Sequence, residues 1–193
     1  MAQPMLANDD VQSLYGRLIS CAPQQTSTEV VLARLLSSWK CGYSVLPEWL
    51  GLGETEFHRM LKQHFPGMDP SEVIHHTAAP RSAYEGEMED LRTLIMKHRS
   101  HRSEVEPWFA EILIAGCMGP DHLWQDLGLW SRDDLSLLIS DHFHPLAVMN
   151  TKNMKWKKFL YKQLCETEGI YTCRSPSCEV CADYANCFSP EES

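Results

Sequence analysis

The sequence lacks both long apolar runs and segments in which apolar and polar residues alternate. No stretch approaches the roughly 18 consecutive apolar residues that a membrane-spanning helix needs. Apolar residues instead recur at helical spacing along most of the chain, so we expect an all-α fold that does not enter a membrane. The first ten residues contain neither a basic segment nor an apolar core, so we also expect no secretory signal and a cytoplasmic protein.

Positive charge is scarce. The chain has 17 Lys and Arg against 26 Asp and Glu, a net charge of -9, which argues against a nucleic-acid partner. It shows no glycine-rich phosphate loop, no nucleotide motif and no catalytic nucleophile, so we expect a protein that is not an enzyme. The acidic pairs Asp133-Asp134 and Glu104/Glu106 lie at expected helix starts, where carboxylates stabilise the helix, and we assign them no catalysis.

Helical periodicity and the positions of Pro and Gly divide the chain into seven expected helices. The segment from 66 to 85 has weak periodicity and is expected to be a long connection. The helices are predicted at about 9–20, 28–40, 54–65, 86–101, 107–117, 132–143 and 154–168.

A shift of the sequence by 77 residues brings similar residues into register. Leu50-Gly51-Leu52 then falls on Leu127-Gly128-Leu129, and after one inserted residue His64-Phe65 falls on His142-Phe143. This pattern predicts two copies of one helical unit, at about 10–66 and 87–144, related by a pseudo-twofold axis. Residues common to both copies are expected to be structural. Cys117 and His122 have no counterpart in the first copy and are therefore the more interesting positions.

Four of the eight cysteines lie together near the end of the sequence, in a C-x4-C-x2-C-x5-C pattern formed by Cys173, Cys178, Cys181 and Cys187. Cysteines of a reducing cytoplasm are rarely paired as disulfides, so a cluster of them points to metal. A single wrapped loop of mixed spacing favours an iron–sulfur cluster over zinc, which is usually held by two separate C-x2-C turns. On spacing alone, iron–sulfur, zinc and uninvolved thiols all remain open.

A lysine-rich helix precedes this motif. Trp156, Phe159, Leu160 and Leu164 form its apolar stripe, so Lys155, Lys157, Lys158 and Lys162 are expected to project from the other faces. These lysines form either a solvated surface or a positive patch that offsets a thiolate-bound cluster, attracts an oxyanion or contacts an acidic partner.

The second half of the sequence resembles the NifQ family of nitrogen-fixation proteins. The resemblance is carried by the run from Gly119 to Leu129, by Asn150, by Met154 to Phe159, by Leu164-Cys165 and by the four-cysteine motif. It implies a carrier that donates molybdenum for the iron–molybdenum cofactor of nitrogenase. It also implies that Cys173, Cys178, Cys181 and Cys187 bind a molybdenum–iron–sulfur cluster, with a [4Fe-4S] or [3Fe-4S] cluster as precursor.

The same resemblance implies two protein partners, the nitrogenase iron protein and the scaffold on which the cofactor is assembled. The molybdenum itself would come from molybdate or from a molybdenum-supplying protein. An iron–sulfur electron carrier and a structural zinc module on an interaction protein are the alternative functions. The expected organisation is a helical domain, 1–170, followed by a cluster-binding segment, 171–193.

Molybdenum often takes oxygen or nitrogen ligands that four cysteines do not supply. A residue outside the motif is therefore a candidate for completing the site. We expect His122 first, then Cys165 and Cys117, each with a structural alternative: capping or packing for His122, core packing for Cys117 and simple proximity to the motif for Cys165.

Overall fold

A computed structural model of the chain describes residues 8–75 and 85–168. Within these ranges the protein is helical and has no β-strand, which confirms the all-α prediction. None of these helices has the length and apolar character needed to cross a membrane. A 3₁₀ helix spans Glu48–Gly51, and the α-helices are α1 (Asp9–Cys21), α2 (Ser27–Lys40), α3 (Glu54–His64), α4 (Pro70–Val73), α5 (Glu85–Lys97), α6 (Glu106–Cys117), α7 (Leu123–Asp126), α8 (Arg132–His142), α9 (His144–Met149) and α10 (Trp156–Glu168).

The seven helices predicted from periodicity are all present, and one of them ends earlier than expected. The prediction extended α5 to residue 101, but the helix stops at Lys97. Beyond it, the backbone N–H of Ser100 donates to the carbonyl of His142 at 2.9 Å, at the end of α8, rather than continuing the helical ladder. The predicted connection 66–85 contains the short helix α4, and its part 76–84 lies outside the described residues.

Helix starts follow local side-chain chemistry. Asn8 caps α1 by accepting hydrogen bonds from the backbone of Asp10 and Val11, at 2.9 and 3.2 Å. At α8, the hydroxyl of Ser131 accepts from the backbone N–H of Asp134 at 3.2 Å, and the carboxylate of Asp134 accepts from the backbone N–H of Ser131 at 3.1 Å. This reciprocal pair satisfies N–H groups that have no partner inside the helix.

The core is built around two pairs of consecutive long helices. Helix α1 packs against α2, and α5 packs against α6. Nearly every residue of α6 from Trp108 to Cys117 is buried, so α6 is surrounded by other elements rather than lying on the surface. Each large apolar side chain buried in this way stabilises the fold by about 1.5–3 kcal/mol relative to an exposed one.

The two halves of the described chain run through similar elements in the same order. Helices α1, α2, the 3₁₀ helix and α3 are followed by α5, α6, α7 and α8. Both α3 and α8 end in a His-Phe pair whose phenylalanine is fully buried and has a φ of -135°. This order is what a repeat predicts, but the duplication itself stays a prediction.

The two histidines of these pairs are buried side chains that contact α2. His64 Nδ1 lies 2.9 Å from Glu29 Oε1, and His142 Nε2 lies 3.2 Å from the hydroxyl of Thr28. Burial lowers the pKa of His142 below its usual value, and the nearby charge of His64 acts in the same direction, whereas Asp141 and Glu106 oppose it. His142 is therefore neutral in the folded protein at neutral pH.

Because the folded state disfavours protonated His142, acid should destabilise the protein through this residue. The stabilising contribution is complete above the unfolded pKa of about 6.5 and is lost as the pH falls toward the lower pKa of the folded state, at up to about 1.4 kcal/mol per pH unit. Urea unfolding of His142→Gln at about pH 7.5 and about pH 5.5 should show a smaller acid loss than the unsubstituted chain. Exposed His144→Gln is the control and should keep the full loss. An equal loss in both variants contradicts the assignment.

Candidate metal centre and the helix that leads to it

The four motif cysteines, Cys173, Cys178, Cys181 and Cys187, lie outside the described residues. The described chain ends with α10, which leads directly to them in sequence. Among residues 8–75 and 85–168, no three His, Cys, Asp or Glu side chains gather into a group that could hold a metal ion. What the structure does describe is the helix that precedes the motif in sequence, α10, and the contacts by which it is attached to the body.

Helix α10 is attached by one buried apolar face. Trp156, Phe159, Leu160 and Tyr161 are all at most 6 % exposed. The helix packs on α5, where the hydroxyl of Tyr161 donates a hydrogen bond to Glu87 Oε1. A phenol buried in this way needs a partner, and Glu87 supplies it.

The ammonium group of Lys157 is buried beside this face, which corrects the prediction that Lys157 projects outward. Its Nζ donates to the carbonyl oxygen of Gly119 at 2.8 Å and forms an ion pair with Asp126 Oδ2. The prediction was wrong because Lys157 lies one turn before Leu160 and Tyr161, on the buried side of the helix. The charge is tolerated there because it is paired.

Asp126, the partner of this lysine, is only 2 % exposed. Burial raises the pKa of its carboxyl, and the neighbouring Lys157 ammonium counteracts that rise. The backbone N–H of Asp121 donates to Oδ2 of the same carboxylate at 3.0 Å. A Cβ at Gly119 would lie 2.4 Å from the carboxyl carbon of Asp126, so only glycine fits where the loop passes the ion pair.

Cys117 lies close to this ion pair and is buried, with 1 % of its surface exposed. Burial raises the pKa of its thiol to about 12, although the charge of Lys157 pulls it down. Metal binding requires the thiolate. In this arrangement Cys117 remains a thiol and acts as a small core residue, which was the structural alternative for this position.

The other two candidates, His122 and Cys165, are both half-buried but lie near opposite ends of α10. His122 is the N-cap residue of α7, and its backbone N–H donates to Gln125 Oε1 at 3.3 Å. It belongs to the loop that binds Lys157, near the start of α10. Cys165 follows Lys157 by eight residues, or about 12 Å of helix. Among the described residues, neither side chain belongs to a group of three or more His, Cys, Asp or Glu that could hold a metal ion.

The other three lysines of this segment lie where the sequence placed them, although Lys155 precedes the first residue of α10. Lys155, Lys158 and Lys162 are partly exposed, and Lys162 Nζ lies 3.4 Å from Glu166 Oε1. What the sequence reasoning missed is the pairing of Lys157 with Asp126. Its signal was the position of Lys157 within the apolar stripe of an amphipathic helix.

The comparison with known protein families agrees with the resemblance drawn from the motif. A model of the NifQ family matches residues 31–189, a range that includes all four motif cysteines. The chain belongs to the NifQ family. Membership of the NifQ family implies a role in nitrogen fixation.

Curated relatives cover most of the chain. Protein NifQ of Azotobacter vinelandii is 42% identical over 170 residues, which cover 83% of this chain and 87% of the relative. Protein NifQ of Rhodobacter capsulatus is 35% identical over 162 residues, covering 83% of this chain and 87% of that protein. Protein NifQ of Klebsiella pneumoniae is 51% identical over a shorter stretch of 80 residues, 41% of this chain and 48% of the relative. No solved structure matches the chain.

Removing the lysine of the buried pair should strongly destabilise the body. Lys157→Met leaves the carboxylate of Asp126 buried and unpaired, which should lower the free energy of unfolding by about 3–5 kcal/mol. Lys158→Met, at the partly exposed neighbouring position, is the matched control and should change it by less than about 0.5 kcal/mol. Urea unfolding followed by circular dichroism measures both.

A double variant separates the charge from the packing. Adding Asp126→Asn to Lys157→Met removes the unpaired charge and should recover part of the lost stability. Equal stabilities for Lys157→Met and Lys158→Met would contradict the assigned role of the ion pair.

Proposed function

We propose that this chain carries a molybdenum–iron–sulfur cluster on Cys173, Cys178, Cys181 and Cys187 and donates molybdenum for the iron–molybdenum cofactor of nitrogenase. The observation that carries the proposal is the NifQ family match, which extends through this four-cysteine motif. The cluster is cargo that the protein loads and hands on. The proposal therefore describes a carrier rather than an enzyme.

Ligand chemistry supports a cluster at this motif. Thiolates suit iron and reduced molybdenum in sulfide clusters, and the central C-x2-C brings two sulfurs to one centre. The body offers less suitable ligands, because Cys117 is held as a buried thiol and His64 and His142 are packed in the core. These observations favour the motif over the body as the place where metal binds.

The proposed carrier acts in the cytoplasm between a source of molybdenum and two recipients. The source is molybdate or a molybdenum-supplying protein, and the recipients are the cofactor-assembly scaffold and the nitrogenase iron protein. The net charge of -9 supports a protein partner over a nucleic acid. The partly exposed Lys155 and Lys158, which precede the motif in sequence, are a suitable contact for an acidic surface.

The finer organisation belongs to the same proposal: a helical domain at 1–170, built from two copies at about 10–66 and 87–144, and a cluster-binding segment at 171–193. Reciprocal close contacts support the duplication. A Cβ at Gly51 would lie 3.3 Å from the Cβ of Ala115, and one at Gly128 would lie 2.9 Å from the Cβ of Ser38. The 77-residue shift converts Gly51 into Gly128 and Ser38 into Ala115, as a pseudo-twofold axis requires.

Metal content tests the cluster site. Cys181→Ala should abolish the molybdenum, iron and sulfide of anaerobically purified protein. It should leave helical circular dichroism nearly unchanged, because the described helices do not include the motif. Cys41→Ala, a partly buried cysteine at the end of α2, is the matched control and should retain all three. Iron retained by Cys181→Ala would refute the assignment. Iron and sulfide without molybdenum in the unsubstituted protein would indicate an electron carrier, and zinc alone a structural zinc module.

A substitution that keeps the helix cap tests the additional ligand. His122→Asn removes the imidazole, and asparagine is a good N-cap residue, so α7 should remain intact. If His122 binds molybdenum, the ratio of molybdenum to iron should fall while iron stays constant. An unchanged ratio would leave His122 with its capping role alone.

A further inference from the structure

A cavity at the far end of the α5–α6 pair contains three arginines. It lies between α3 and the connection from α5 to α6, and its volume is about 560 Å³. Arg59 comes from α3, while Arg99 and Arg102 come from the connection. Three arginines lining one cavity are unexpected in a chain with a net charge of -9.

The connection is held in place by a buried carboxylate. Glu106, with 1 % of its surface exposed, accepts hydrogen bonds from the backbone N–H groups of His101, Arg102 and Ser103, at 3.1, 2.9 and 3.3 Å. The carboxylate is therefore occupied by the backbone rather than by an arginine. Its contacts fix the backbone at Arg102 and close to Arg99.

A second carboxylate is also occupied. Glu56 accepts from Trp108 Nε1 at 2.7 Å and lies 3.5 Å from a guanidinium nitrogen of Arg59. The third, Glu104, is exposed on the connection. Of the three arginines, Glu56 therefore offsets the charge of Arg59 alone, and it does so only in part.

The positive charges of Arg99 and Arg102 are not offset by a carboxylate within the described residues. No carboxylate of the described chain forms an ion pair with either side chain. Arg99 Nε is buried from solvent, and within the described residues it has no hydrogen-bond acceptor. A buried donor without an acceptor is unfavourable, so an oxygen atom of a bound anion would satisfy it.

We propose that Arg59, Arg99 and Arg102 form a binding site for a small tetrahedral oxyanion. Guanidinium groups present parallel N–H donors that match the oxygen pairs of such ions. Phosphate, sulfate and molybdate share this chemistry. The cavity has room for the ion together with part of its hydration shell.

The arginine cavity lies at the opposite end of α5 from the contact that α10 makes with this helix. Tyr161 of α10 contacts Glu87 in the first turn of α5, whereas Arg99 follows the last turn. Glu87 and Lys97, the last residue of α5, are ten residues apart, which is about 15 Å of helix. The choice of molybdate as a ligand rests on the proposed function, but oxyanion binding itself does not.

Equilibrium dialysis of the full chain against molybdate, sulfate and phosphate, each alone, tests the site. The double variant Arg99→Gln/Arg102→Gln should weaken binding by about tenfold or more, because it removes charge-assisted hydrogen bonds. Arg17→Gln removes one positive charge from the exposed surface of α1, where Arg17 pairs with Glu72, and should change binding by less than about twofold. Arg102→Gln alone, at an exposed position, weakens binding without a packing change.

A variant of the cysteine motif distinguishes oxyanion binding at the arginines from metal binding at the motif. Cys181→Ala should bind the oxyanions as the unsubstituted chain does, even though its cluster metal is lost. Preference for molybdate would link the site to molybdenum supply. Equal binding of all three ions would make it a general oxyanion site. Both results support the proposal. Absence of binding in the unsubstituted chain would overturn it, as would binding that is lost in Cys181→Ala but kept in the arginine variants. Neither result bears on the metal content of the cluster motif.

Discussion

The buried ion pair between Lys157 and Asp126 is the interaction on which the placement of α10 depends. An ammonium group inside the protein must meet its acceptors, and here these are one carboxylate oxygen and the carbonyl of Gly119. A helix that packs through an apolar face alone can shift along the body by one turn and still bury that face. A helix with a buried ammonium group cannot, because the shift would separate the charge from its carboxylate. The pair therefore sets the register of α10 on the body and the point at which the described chain leads toward the cysteine motif.

The requirements of this pair extend into the surrounding loop. Gly119 has no side chain because the Asp126 carboxylate occupies that space, and the backbone carbonyl of Asp126 accepts the N–H of Val45 from the first half of the chain at 3.0 Å. One residue thus connects both halves of the body to α10. The thiol of Cys117 lies close to this pair, and its burial raises its pKa. In the described body, the thiol of Cys117 and the imidazoles of His64 and His142 are accordingly taken up by packing.

Sequence reasoning succeeded where the determining interactions are local. The long helices follow from periodicity. The four-cysteine motif lies outside the described residues, so its role in metal binding stays a prediction. Sequence reasoning failed where a distant residue decides the outcome. Helix α5 ends early because Ser100 bonds to the end of α8, and Lys157 is buried because Asp126, 31 residues away in sequence, is there to pair with it. Short helices such as α7 contain too few residues for a period to be detected.

Two separate sites suit the chemistry proposed for this protein better than one. Molybdenum as an oxyanion presents oxygen acceptors, for which the N–H donors of Arg99 and Arg102 are suited, whereas reduced molybdenum in a sulfide cluster requires thiolates. Thiolates placed beside the oxyanion would repel it, and arginines offer no lone pair to a metal. In the described residues, the arginine cavity lies at one end of α5 and the contact of α10 with Glu87 lies near the other.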